Sequence, residues 1–127
     1  MRSDNNTNFI EAVLCCLQSC RCAGNPIKEA VLVLKAYSNL GHSIHMISYG
    51  EESSREETVA WLEANDVPFD VLRIDATKDP ISFKVEYLKY LKLRGFEPIL
   101  GIEHSLESAS ALHEETGLPT LVLHGCY

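Results

Sequence analysis

The sequence predicts an α/β protein, a three-layer sandwich around a five-stranded parallel sheet. Short apolar runs alternate along the chain with segments of helical periodicity, a pattern typical of parallel sheets. Glycines follow three of the helical segments, at Gly41, Gly95 and Gly117, where a helix commonly ends. A length of 127 residues suits one domain. We therefore expect a flexible tail over residues 1–8 and a single domain over residues 9–127.

The first half of the chain predicts two strands and two helices. The apolar run of residues 9–16 predicts the first strand, and the proline that begins residues 26–40 suits the first turn of a helix. Residues 43–48 predict the second strand. A serine pair followed by glutamates is typical of a capping box, so residues 53–65 predict the next helix.

The second half continues the same alternation with three further strands. Residues 69–74, 98–102 and 120–124 are short apolar runs that predict strands. Helical periodicity predicts a helix over residues 80–93, between the first two of these strands. Ser105 suits the N-cap of a helix that runs through residue 115, between the last two. Right-handed crossovers would then place all five strands parallel to one another.

Composition excludes several classes of function. The net charge of -7 argues against non-specific binding of nucleic acid, because phosphates would be repelled. No apolar stretch approaches the roughly 20 residues that cross a bilayer, and the polar N-terminus lacks a secretory signal, so we expect a cytoplasmic protein. Four of the five cysteines crowd residues 15–22, which favours reduced thiols over a disulfide framework.

Candidate site residues fall where predicted strands end. Cys16 ends the first strand, Ser48 ends the second, and Glu103 directly follows the fourth. Active sites of parallel α/β sheets lie at the carboxyl ends of the strands. These side chains are therefore expected to share one site.

Several segments, in their order and spacing, resemble the haloacid dehalogenase-like (HAD) superfamily. Residues 24–30 (GNPIKEA) and 40–48 (LGHSIHMIS) resemble the family's linker, first helix and second motif. Residues 83–88 (FKVEYL) and 99–105 (ILGIEHS) resemble the third and fourth motifs. The resemblance covers about residues 10–124, and it implies a Rossmann-like core with strand order 3-2-1-4-5.

The resemblance also implies which residues occupy the family's catalytic positions. Active members carry Asp-x-Asp at the end of the first strand, a nucleophile and an acid/base that act with Mg2+. Here Cys16 and Gln18 hold those positions, while Ser48 and Lys84 match the second-motif hydroxyl and the third-motif lysine. About nine residues separate Cys16 from Pro26, too few for a cap domain.

Loss of both motif-one carboxylates predicts the loss of phosphatase chemistry. Mg2+ prefers oxygen ligands, so its affinity should fall sharply and no cofactor is expected. The sequence thus predicts a pseudoenzyme of the phosphatase fold, a binding or regulatory protein that engages a protein partner or forms a homodimer. It predicts no contact with nucleic acid or membrane.

Two other interpretations remain open from the sequence. Cys15 and Arg21 have the Cys-x5-Arg spacing of cysteine-dependent phosphatases, which would make the chain a phosphohydrolase, as would residual HAD-type activity. Alternatively, Cys16 could join Glu103 and His104 in a metal site, where thiolate and imidazole suit Zn2+ better than Mg2+.

Overall fold

The computed structural model describes residues 9–123 of the chain. The tail predicted for residues 1–8 lies outside this range, as does the end of the last predicted strand. The described elements, in chain order, are β1 (Ile10–Cys16), α1 (Leu17–Cys20), β2 (Arg21–Cys22), β3 (Asn25–Pro26), α2 (Lys28–Asn39), β4 (Ser43–Tyr49), α3 (Arg55–Ala64), β5 (Val71–Asp75), α4 (Pro80–Leu93), β6 (Phe96–Glu103), α5 (Leu106–Thr116) and β7 (Thr120–Val122).

Five parallel strands form the central sheet in the order β5-β4-β1-β6-β7. Counted along the chain, these are the third, second, first, fourth and fifth strands of the sheet. The predicted fold class and the order 3-2-1-4-5 are therefore confirmed. Helices α2 and α3 contribute to one hydrophobic cluster, and α4 and α5 to the other, which gives the three layers.

The central strand β1 is buried on both faces. Its residues from Ala12 to Cys16 are all nearly inaccessible, as expected for a strand covered by helices on each side. Val13 and Cys15 pack into the cluster shared with α2 and α3, whereas Leu14 packs into the cluster shared with α4 and α5. The pleat thus alternates the strand's side chains between the two cores.

The chain leaves β1 by a different path from the predicted one. A single helical turn, α1, is followed by a two-residue hairpin in which Arg21 pairs with Pro26. Pro26 is therefore in a strand and not in a helix, and α2 begins at Lys28. The amide of Ile27 donates to the carbonyl of Cys20 at 2.8 Å and closes the hairpin against the turn.

Helix caps account for further agreements and one error. Asp79 accepts from the Ser82 amide at 3.0 Å and starts α4 at its predicted residue, and Ser105 accepts from the Ser108 amide at 3.1 Å. The capping box before α3 is absent. The Ser54 hydroxyl donates instead to the carbonyl of Glu51 at 2.8 Å, within a 3-10 turn that precedes the helix.

The structure bears on two further expectations, the state of the cysteines and the absence of a membrane-spanning segment. Cys15, Cys16 and Cys20 are free, but Cys22 in the hairpin is disulfide-bonded, so the expectation of reduced thiols is wrong at that position. Within residues 9–123, no helix is both long and apolar enough to span a membrane.

A buried polar network joins β4 to α4. His45 is 1% exposed, and its Nδ1 lies 2.8 Å from the hydroxyl of Tyr87 while its Nε2 lies 2.9 Å from that of Ser43. Burial lowers the pKa of His45, and the nearby Asp70 carboxylate only partly opposes this. Burial also raises the pKa of Tyr87 to about 12. Both side chains are therefore held in their neutral forms.

The lowered pKa of His45 predicts a loss of stability in mild acid. Below the ordinary histidine pKa of about 6.5, the unfolded chain binds a proton that the folded chain excludes. The contribution of neutral His45 to the free energy of unfolding should be fully present above that pH. It should decrease as the pH falls below it. Urea unfolding between about pH 5 and 8 should show a shallower decline in His45→Gln than in the parent.

Replacement of the exposed His113 by Gln provides the control, because that side chain lies outside the buried network. His113→Gln should keep the parent's pH slope. Equal slopes in the parent and in His45→Gln would contradict the assignment to His45.

Candidate functional site

A cavity of about 380 Å³ opens at the carboxyl edge of the sheet. Its lining includes most of the residues that the sequence singled out, and they come from β1, α1, β2, β4, α4 and the segment after β6. These are Cys16, Gln18, Arg21, Ser48, Lys84 and His104. Residues up to 88 positions apart in the sequence thus lie in one site. Their placement at the ends of strands predicted this.

Sheet register and one hydrogen bond position the first part of the site. Cys16 pairs with Ile47 across β1 and β4, so Ser48 lies one residue further along the neighbouring strand. The Ser19 hydroxyl donates to the carbonyl of Ile102 at 3.2 Å and fixes the turn α1 against β6. Gln18, on the same turn, is exposed and faces the cavity.

A buried ion pair lies at the inner wall of the cavity, where Lys84 lines the cavity and Glu103 lies behind the lining. Nζ of Lys84 lies 2.9 Å from Oε1 of Glu103, and the two side chains are only 4% and 3% exposed. Such a pair must be retained as a unit, because either charge left alone in the interior would be strongly unfavourable. The pair therefore fixes α4 to the end of β6.

The Cys16 side chain lies beside this ion pair. Its Sγ is 3.5 Å from Nδ1 of His104 and 3.8 Å from Nζ of Lys84. Burial raises the pKa of the Cys16 thiol, the Glu103 carboxylate raises it further, and Lys84 only partly compensates. At neutral pH the sulfur is consequently protonated and is a weak nucleophile.

Of Cys15 and Arg21, only the arginine lines the cavity. Cys15 is completely buried in the core and is not among the residues that line the cavity. Its interaction with Cys20, together with burial, raises the pKa of its thiol. Arg21 lies at the cavity, with its guanidinium 5.0 Å from the centre of the Trp61 ring. Burial of Cys15 disfavours the Cys-x5-Arg interpretation, because a catalytic thiolate must be accessible to its substrate.

The residues present do not fit Mg2+. Among the described residues, the one group that could hold a metal consists of Cys16, Glu103 and His104, whose ligand atoms all lie within 4.8 Å of one another. This set offers sulfur, nitrogen and a single carboxylate, whereas Mg2+ requires oxygen ligands. No step of the chemistry is therefore assigned to Mg2+.

Sequence reasoning missed some of the cavity wall. Tyr49, Pro80 and Ser108 also line it, although no motif indicated them. Ser105 was predicted only as a helix cap, yet it lies at the cavity because α5 starts there. The ends of strands could be predicted from the sequence as positions of site residues. No sequence signal indicated that the first turns of α4 and α5 would also contribute side chains to the cavity.

Comparison with known proteins identifies the fold. No family model and no curated protein matches the sequence. Among solved structures, a chain of a Pnkp1/Rnl/Hen1 complex is similar with a TM-score of 0.76 and 20% identity, over 98% of this chain and 48% of that one. A chain of a Pnkp1/Rnl/Hen1 RNA repair complex gives a TM-score of 0.72 and 19% identity, over 98% and 45%. The chain thus spans about half the length of both.

The Lys84–Glu103 pair predicts strongly non-additive effects on stability. Lys84→Met leaves the Glu103 carboxylate buried without its counter-charge, so the free energy of unfolding should fall by about 3–5 kcal/mol. The double variant Lys84→Met/Glu103→Leu removes both charges and should recover most of that loss. Urea unfolding of both single variants and the double variant measures the coupling.

Replacement of Lys89, an exposed lysine on the same helix, provides the matched control. Lys89→Met should change the free energy of unfolding by less than about 0.5 kcal/mol. Additive losses in the double variant would contradict the coupling.

Proposed function

We propose that the chain is a HAD-like protein that binds a phosphate group without transferring it, and that it acts as a component of a protein assembly. The observation that carries the proposal is the environment of Cys16. Cys16 is a buried thiol with a raised pKa beside the Lys84–Glu103 pair, at the position where the resemblance to the HAD superfamily would place the phosphatase nucleophile.

The polar groups that would recognise an anion are retained in the cavity. The Ser48 hydroxyl and the Arg21 guanidinium both line it, and both can donate hydrogen bonds to phosphate oxygens. Lys84 adds a positive charge at the inner wall, although Glu103 offsets it. Arg21 is therefore the main source of net positive charge for an incoming phosphate.

The groups that would perform phosphoryl transfer are missing. Cys16 provides no oxygen that could attack phosphorus in line with the leaving group. The amide of Gln18 cannot act as a general acid or base near neutral pH. His104 lies against Cys16, and within residues 9–123 no hydroxyl is hydrogen-bonded to it as a nucleophile would be. Binding without turnover is the activity that this set of groups supports.

Similarity to chains of a multi-protein complex supports the assembly part of the proposal. The solved structures share the fold over nearly the whole of this chain, and both are chains of a Pnkp1/Rnl/Hen1 complex. We propose a protein partner and not a nucleic acid, because the net charge of -7 disfavours binding of a polyanion.

Hydrolysis of p-nitrophenyl phosphate tests the catalytic part. The parent should show no turnover with Mg2+, whereas Cys16→Asp/Gln18→Asp restores two carboxylates next to Glu103 and should gain Mg2+-dependent activity. The uncharged double variant Cys16→Asn/Gln18→Asn provides the matched control and should stay inactive. Mg2+-dependent turnover by the parent would contradict the loss of chemistry.

Calorimetric titration with inorganic phosphate tests the binding part. Arg21→Met and Ser48→Ala should each weaken binding, by about tenfold for the arginine, since one charge-assisted hydrogen bond is removed. Arg94 lies outside the cavity lining, so Arg94→Met should bind phosphate like the parent. No detectable heat with the parent, or equal affinities for all variants, would overturn the assignment of the cavity.

A further inference from the structure

Three chemically different ligand atoms converge beside the cavity. Sγ of Cys16, Nδ1 or Nε2 of His104 and a carboxylate oxygen of Glu103 all lie within 4.8 Å of one another. We propose that these three side chains form a Zn2+ site. The inference rests on the misfit with Mg2+ described above and does not depend on the proposed binding of phosphate.

The spacing suits a single tetrahedral ion. Zn–S and Zn–N bonds of about 2.3 and 2.0 Å place two ligands about 3.5 Å apart at a tetrahedral centre. Sγ of Cys16 and Nδ1 of His104 are already separated by 3.5 Å. Only small side-chain movements are therefore needed to bring the Glu103 oxygen into the same sphere.

The chemistry of the set selects the metal. Thiolate and imidazole favour Zn2+ over Mg2+ and Ca2+, which take oxygen ligands. A thiolate and a carboxylate together balance the two positive charges of the ion. Zinc sites with three protein ligands keep the fourth position open, and here Cys16 and His104 line the cavity from which a fourth ligand would enter.

Lys84 limits the affinity of this site for a metal ion. Its ammonium lies 2.9 Å from Glu103 and 3.8 Å from Cys16, so it competes with a metal ion for both anionic ligands. Binding of Zn2+ must therefore weaken the Lys84–Glu103 contact. It follows that Lys84→Met, which keeps a long side chain without the charge, should bind Zn2+ at least about tenfold more tightly than the parent.

Cobalt spectroscopy tests the site directly, without phosphate and without any activity assay. Co2+ added to the parent, purified without a metal-affinity step, should give a thiolate-to-cobalt charge-transfer band and the intense visible bands of four-coordinate cobalt. Zn2+ should displace both. Cys16→Ser should lose the charge-transfer band, and His104→Gln should bind Zn2+ at least about tenfold more weakly.

Cys20→Ala provides the matched control, because Cys20 is also a free, buried thiol near the site but lies outside the ligand set. Its spectrum should equal that of the parent, and circular dichroism of each variant establishes that it is folded. A charge-transfer band that survives in Cys16→Ser would place the metal elsewhere and overturn the proposal. Absence of the band in the parent would also overturn it, including when Lys84→Met alone shows one.

Discussion

The site depends on one constraint: two opposite charges, on Lys84 and Glu103, are buried together at the carboxyl edge of the sheet. Desolvation makes each charge unfavourable alone, so the pair holds α4 against β6. Two further groups of the site lie beside this pair. Cys16 contacts its lysine, and His104 follows its glutamate along the chain.

Position and chemistry are determined separately in this chain. The end of β1 is fixed by pairing with β4 and β6 and by the bond from Ser19 to the carbonyl of Ile102. None of these interactions involves the side chains of Cys16 or Gln18. Other side chains could therefore occupy these two positions without disturbing the sheet, so the fold does not determine which chemistry is present at the end of β1.

Sequence reasoning succeeded where a local signal matched the global fold. Helix α4 begins at Pro80 as predicted, because a proline at the first position and a capping Asp79 agree with the apolar spacing that follows. It failed at Pro26, where the same proline rule predicted a helix but the tertiary pairing with Arg21 formed a hairpin. Neighbouring residues of a strand face opposite sides of the sheet, so Cys15 and Cys16 cannot both face the same side. Only the three-dimensional packing shows that Cys16 is the one that reaches the cavity.

The two proposed ligands, an anion and a cation, would be linked through the same residues at this edge of the sheet. Arg21 and Lys84 would attract phosphate, Cys16 and Glu103 would bind the metal ion, and the buried ion pair belongs to both sets. A metal that weakens the Lys84–Glu103 contact would free the ammonium to face the cavity, and the ion would add its own charge there. Because both changes increase the positive potential, metal and phosphate would bind cooperatively, and each would increase the affinity of the other by the same factor.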